Sequence, residues 1–509
     1  MSDIEHRPGK KIRKALLIIL TAVVALAAVF FILLAVVLFV LRPPELIPVD
    51  PVEARRWIKE QRRQLQHDGR YNPNGSWKGP RVALIAVDGL DLDQANRFVA
   101  EGLMPNLAHL MKEGATGKIQ TLNPALSPRI WTTIATGVLP QQHGILNIIT
   151  KDSHTGGIVP FDASHRKSPA LWQMASDFGL EVLIVNYWPT WPAEKVNGVI
   201  ISDLTSQALR HSSVKGSNLE IDSLERLTYP LEVFEEVLPL IVKESEISAG
   251  EIAKFFNASE SEISDIEEKD RWGMHKNIEM LRLALVYDTF SISAGLKLYR
   301  DRQPDLFMVY FKGLDLVCHR FWKYHEPEKF PTVSGNEIKV AGKVIERYYQ
   351  LVDEMLGKLL MHIPRDSYVI VMSDHGFRAD PKNREISGTH FKGVWFASLM
   401  DRGPNIKPGT KIRPAILPAN IQAMGCRVTD ITPTILTWLG LPLAENFMGR
   451  PYAKLVKGLP KSPIIPGYPH VPPHPPQDDQ NAEKYKYEKN ATIKNAGVHS
   501  VIFSKTEIV

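Results

Sequence analysis

The chain has 509 residues, 44% of them hydrophobic and 23% charged, with a formal charge of +5. So small an excess of charge, with no basic stripe interleaved with aromatics, gives no footing for a binder of nucleic-acid polymers. Two cysteines, Cys318 and Cys426, form no evident disulfide framework. A length beyond that of a typical domain fits a large α/β enzyme carrying an insertion.

In chain order, residues 15 to 41 contain no charged residue and only Thr21 as a polar one. At about 1.5 Å per residue a helix there reaches roughly 40 Å, more than the roughly 30 Å hydrocarbon core of a bilayer. Lys10, Lys11, Arg13 and Lys14 precede it, which by the positive-inside rule leaves residues 1–14 as a cytoplasmic tail. The competing reading is a cleaved signal peptide, but the run exceeds a signal's apolar region and ends in no clear small-x-small site. The expectation is a transmembrane anchor at 15–41, single-pass in the cytoplasmic (inner) membrane, with the catalytic domain on the extracytoplasmic side. Residues 42–80 then read as a stalk, with Val52 to Gln66 helical and Asn72 to Gly75 a loop.

Val82 to Val87 is a continuous apolar run, as in a strand buried on both faces, and Asp88-Gly89 ends it. Ser127-Pro128 opens a segment that closes at Gly137, which fits a helix with a serine cap, an early proline and a terminating glycine. A serine at a helix N-terminus also presents its hydroxyl where backbone N–H groups and the helix dipole favour phosphate. Glu181 to Asn186 reads as another buried strand. Residues 205–300 are acidic and helical in pattern, and read as an inserted cap.

Leu306 to Phe311 repeats the buried-strand pattern before Asp315, whose i, i+4 spacing to His319 puts both on one helix face. Tyr368 to Ser373 repeats it again and stops at Asp374-His375-Gly376. His390 follows in Gly388-Thr389-His390, and beyond residue 460 the chain is Pro-, Lys- and His-rich, expected as a mobile tail over 461–509. In open α/β sheets, ligand sites collect at the carboxyl ends of the strands. Carboxylate and imidazole donors in this number imply more than one divalent ion, and a hydroxyl beside such ions is an activated nucleophile.

Asp88-Gly89, the Ser127 segment with Thr136-Gly137 and His143-Gly144-Ile145, Asp315-x-x-x-His319, Ser373-Asp374-His375-Gly376 and Gly388-x-His390 together resemble the type I phosphodiesterase/nucleotide pyrophosphatase branch of the alkaline phosphatase superfamily. The resemblance spans about residues 81–455 and includes Asp430-Ile431-Thr432-Pro433. It implies a three-layer αβα sandwich with a mostly parallel sheet, a catalytic domain over 81–460, and phosphate-ester hydrolysis on two divalent ions, zinc. One ion would lie on Asp315, His319 and His390, the second on Asp88, Asp374 and His375, with Ser127 as nucleophile touching the second. The chain departs from the pattern in having Ser127 where threonine is usual, and Asn147 one residue early for the phosphate-binding asparagine, Ile148 taking its place. Asn186 to Pro192 is similar to bacterial predicted phosphohydrolases/phosphomutases of the superfamily.

Arg129 is a candidate for a phosphate oxygen, a surface ion pair being the alternative reading. Cys318 reads as a packed thiol and His143 as structural; His325, His362, His470 and His474 read as surface or loop residues, and Asp430 as a helix cap. The preferred activity is cleavage of phosphodiester or pyrophosphate bonds, extending to lipid-headgroup or envelope compounds given the expected membrane setting. Alternatives on the same residues are a phosphomonoesterase, a phosphoryl or headgroup transferase, or a noncatalytic envelope assembly factor. Leu126-Ser127-Pro128-Arg129 does not match the modified-residue motif a sulfatase needs.

Overall fold

A computed structural model describes residues 20–21, 23–32, 50–72, 74–151, 156–207, 226–379, 387–390, 392–399, 421–452, 455 and 459–470, with the backbone alone for 387–390, 392–399 and 421–424. Two compact units emerge, Met1–Ile47 and Pro48–Val509. In the first, the described residues are helical and exposed. Among the described residues no helix is long and apolar enough to cross a membrane, because a span needs about 20 consecutive apolar residues. The expected anchor, single-pass topology and inner-membrane localisation are corrected accordingly; the rest of 15–41 lies outside the described residues.

The second unit is built on a nine-stranded sheet. Val82–Val87 lies within it, between Leu306–Phe311 and Tyr368–Met372, both parallel to it. Beyond Leu306–Phe311 come Val182–Val185 and Gly198–Ile201, parallel, and the short antiparallel Thr228–Tyr229. Beyond Tyr368–Met372 come the antiparallel Lys392–Leu399, then Ala115–Gln120 and Ile421–Arg427, parallel to each other. The sheet is thus α/β and mostly parallel, as expected.

Alternate residues of the buried strands feed two cores. Ala83, Ile85 and Val87 join Phe307 and Val309 on one face; Leu84 and Ala86 join Met308 and Ile370 on the other. A strand covered on both faces needs apolar residues at every position, which is why these runs do not alternate in sequence. Ser127–Thr136 and Ile431–Leu439 cover the second face, while Gly313–His325 and Val344–Leu360 cover the first.

Of the expected cap, residues 208–225 lie outside the described residues. From 226 to 274 the chain forms an edge strand and short helices, two of them with a serine cap and a Glu three residues on. His275–Arg302 is one 28-residue helix whose Phe290, Ala294 and Leu298 belong to the first core. The anticipated boundary at residue 300 therefore falls inside a helix of the sandwich layer.

The segment read as a stalk packs against the body. Asp50 caps Pro51–His67, accepting from the Val52 N–H at 3.0 Å, and Ile58 and Leu65 enter the second core. At the other end Ile464–Ile465 pairs with Leu443–Ala444, and the Tyr468 hydroxyl donates to the Pro442 carbonyl at 2.7 Å. The body so extends to residue 470, and the remainder of the expected tail lies outside the described residues.

Candidate metal centre

Three strand ends bring the acidic residues together. Asp88 follows Val82–Val87, and its N–H continues the parallel pairing by donating to the Phe311 carbonyl at 2.9 Å. Gly89 turns the chain at φ +71°, and a Cβ there would stand 3.0 Å from the Cα of Asp315, so glycine is what lets the two ligand segments touch. Asp374 and His375 follow Tyr368–Met372. The Ser373 hydroxyl donates to the His375 carbonyl at 2.7 Å and accepts from the Leu90 N–H at 3.0 Å, tying the two loops to one another.

Asp88, Asp315 and His375 each offer a ligand atom, all within 4.8 Å of one another. His375 Nδ1 lies 3.2 Å from the Gly376 carbonyl. A carbonyl only accepts, so Nδ1 carries the proton and Nε2 turns a lone pair toward the carboxylates. Nε2 stands 3.3 Å from Asp88 Oδ1, 3.6 Å from Asp374 Oδ2 and 3.8 Å from Asp315 Oδ1. Acceptors so arranged repel unless a proton or a cation comes between them. Asp374 is fully buried, and neither carboxylate oxygen has a hydrogen-bond partner of normal geometry. Burial first, then the charges of Asp88 and Asp315, hold its carboxyl well above the usual range. These donors fit a divalent ion: hard oxygens and one oriented imidazole, converging with no internal cation bonded to Asp374.

His319 Nε2 lies 3.5 Å from Asp315 Oδ1, the i, i+4 contact expected on the Gly313–His325 helix. The His390 backbone pairs with Gly376, one residue from His375; its side chain lies outside the description. Ser127 is the first residue of the Ser127–Thr136 helix, with Leu126 as cap and Gly137 closing it at φ +69°. The serine is therefore inside the helix, one place from its expected capping position. Its Oγ lies 3.4 Å from Asp88 Oδ1 and 3.3 Å from His375 Nε2. Thr132 and Thr133, the next hydroxyls along this helix, donate back to the carbonyls of Pro128 and Arg129 at 2.7 and 2.9 Å, so of these three Ser127 is the one turned to the cluster.

Arg129 is partly buried, its Nε has no hydrogen-bond partner, and burial draws its guanidinium below the usual range. Asn147 is exposed, with its Oδ1 accepting from the neighbouring Ile148 N–H at 2.8 Å. Its recorded contact is local. His143 is buried, accepts from the Ile145 N–H at Nδ1 and meets Thr133 Oγ1 at 2.9 Å, and burial draws it down to about 3. That is the structural histidine expected. His325 bonds Gln94 at 3.0 Å and His470 the Arg166 carbonyl at 2.8 Å; His474 lies outside the described residues. Cys318 is buried and its thiol raised well above the usual range by burial. Asp430 precedes Ile431–Leu439, but its carboxylate accepts from the Arg427 and Arg450 N–H groups at 2.9 and 3.0 Å rather than capping the helix.

The sequence did not disclose the groups that set the carboxylates. The Trp131 indole N–H donates to Asp88 Oδ2 at 3.3 Å, and the Tyr310 hydroxyl donates to the same oxygen. Trp131 lies four residues after Ser127, one turn along the same face, and Tyr310 is the one hydroxyl in an apolar strand. Both were available signals. Asp288, from the long helix, accepts from the Lys312 and Gly313 N–H groups at 2.9 and 3.0 Å and from the Tyr348 hydroxyl at 2.9 Å. A Cβ at Gly313 would meet that hydroxyl at 1.8 Å, so the turn into the ligand helix again requires glycine.

An α/β protein with an acidic, cation-seeking centre at the carboxyl edge of its sheet is the class that fold and site define. The model of the family described as Type I phosphodiesterase / nucleotide pyrophosphatase matches residues 82–421, and the chain belongs to that family. Two crystal structures of phosphonoacetate hydrolase from Sinorhizobium meliloti 1021, with phosphonoformate and with phosphonoacetate, are similar at 18% identity and a TM-score of 0.36. The alignments cover 61% of this chain and 60% of theirs. No curated protein matches the chain.

Proposed function

We propose that this protein is a phosphoric ester hydrolase that cleaves phosphodiester or pyrophosphate bonds through a phosphoseryl intermediate on Ser127. Two divalent ions, zinc by the character of the donors, would be held by Asp88, Asp374 and His375 and by Asp315, His319 and His390. The observation that carries the reading is the Ser127 hydroxyl set against buried carboxylates, with both Asp374 oxygens lacking a hydrogen-bond partner. Bound ions would neutralise the carboxylates, polarise the phosphoryl oxygens and lower the pKa of an adjacent hydroxyl.

The chain's own part is positioning. Ser127 Oγ, held within about 3.4 Å of Asp88 Oδ1 and His375 Nε2, gives up its proton to solvent and attacks phosphorus in line. The Oγ–P bond forms as the bond to the leaving oxygen breaks, and water later returns the serine. Arg129, on the first turn of the same helix, supplies a guanidinium suited to a phosphate oxygen. Asn147 is a weaker candidate for the same task. The Trp188 and Trp191 rings offer apolar cover for an organic group on a second ester arm.

The test uses the full chain with matched aryl phosphodiester and monoester substrates. A higher kcat/KM on the diester is expected, with the phosphoryl group, still bearing its retained ester arm, trapped on Ser127 in quenched reactions. A much higher kcat/KM on the monoester would overturn the assignment of substrate.

A further inference from the structure

We infer that Lys312 is a substrate-binding residue of this centre: its ammonium, set against the Trp188 and Tyr287 rings, takes an anionic oxygen of the phosphoester. The inference deepens the proposed phosphoesterase reading and rests on it. Lys312 directly follows Leu306–Phe311. That strand pairs on one side with Val82–Val87, which ends at Asp88, and on the other with Val182–Val185, which runs on to Trp188. Neighbouring strands lie about 4.8 Å apart, so Lys312 stands at the strand end between the acidic cluster and the tryptophan. Its backbone is pinned by Asp288.

The ammonium is held by faces rather than by acids. Nζ lies 4.4 Å from the Trp188 ring centroid and 5.5 Å from that of Tyr287. Among the described residues it has no ion pair and no hydrogen bond. Asp203, the acid beyond Trp188, is already occupied by the Thr190 and Trp191 N–H groups, each at 2.8 Å. Burial draws the ammonium below its usual range, against the pull of Asp88, Asp203 and Asp315. Those carboxylates compensate its charge without bonding it. Once Asp88 and Asp315 are themselves neutralised, an anionic ligand is what restores the balance, and cation–π contact keeps the ammonium in place to receive it. A lysine kept only as a counter-charge would be expected to bond one of the acids directly.

The experiment compares full-length wild type with Lys312→Met and Lys312→Arg, all with zinc saturating. It measures KM and kcat on an aryl phosphodiester, the Kd of inorganic phosphate by calorimetry, and metal per chain. In Lys312→Met, KM and the phosphate Kd should each rise about tenfold or more, as for loss of a charge-assisted hydrogen bond. The change in kcat should be smaller, metal content that of wild type, and Lys312→Arg should recover part of the affinity. Lys312→Gln, which keeps the length and polarity of the side chain, replaces the methionine variant should that one fail to fold. A phosphate Kd equal to that of wild type would overturn the inference. If instead Ser127→Ala retained full turnover, the proposed nucleophile would fail while the phosphate comparison still decided the role of Lys312.

Discussion

Two buried acids of this molecule stand in opposite circumstances. Glu194 has its side chain 5% exposed and is fully matched: Arg166 pairs with it at 2.6 Å, and the Trp172 indole and Gln173 amide both donate to it. Asp374 is at least as deeply buried, yet its oxygens have no such donors and its nearest polar neighbours are further acids, an imidazole lone pair and one hydroxyl. A buried charge met on all sides by the protein belongs to the architecture, whereas a buried charge left unmet marks a place for something the chain does not supply. The contrast separates scaffold from site without appeal to any relative.

The largest effect should come at the hydroxyl beside the unmet acids. Ser127→Ala is expected to lower turnover by about a thousandfold or more, with melting temperature and metal content those of wild type. Residual activity within tenfold of wild type would place the nucleophile elsewhere.

Next in size is the matched acid. Glu194→Ala strands the Arg166 guanidinium and should cost about 3–5 kcal/mol in urea unfolding, while each folded chain still binds metal as before. Loss of metal without loss of stability would erase the distinction drawn here.

Asp374→Asn should behave in the opposite sense. Metal content falls, and the metal-free variant gains about 1 kcal/mol over metal-free wild type at pH 8, because one of several crowded like charges is gone. A metal-free variant less stable than wild type would mean that Asp374 is satisfied internally after all.

The smallest effect concerns Asp288, which burial raises to about 7 although three donors oppose the shift. Its unfolded value is about 3.9. Between the two values the native state holds the extra proton, so this group's contribution to stability is complete below about pH 4 and is lost as pH rises toward 7. Asp288→Asn should flatten that part of the stability–pH curve. An unchanged slope would assign the titration to another group.

Much of this was legible from the chain because strands buried on both faces write themselves as unbroken apolar runs, and the residue that ends each run sits at the carboxyl edge. Asp88, Asp315, Asp374 and His375 were found that way, and Ser127 by the Pro128 and Gly137 that bracket its helix. What could not be read depends on distant pairings. Asp288 matters only because Lys312, Gly313 and Tyr348 arrive beside it from elsewhere in the chain. Thr228–Tyr229 is too short to leave a periodic signal. The apolar run at 15–41 carried a strong compositional signal, yet among the described residues no helix meets the length that a span demands.

The central claim is that the unmet carboxylates require a divalent cation for phosphoester cleavage. It is tested most directly by following aryl phosphodiester turnover through chelation and zinc add-back, with metal per chain determined at each stage. Turnover should vanish as metal is removed and return as about two zinc ions per chain are restored; undiminished turnover by protein verified as metal-free would contradict it.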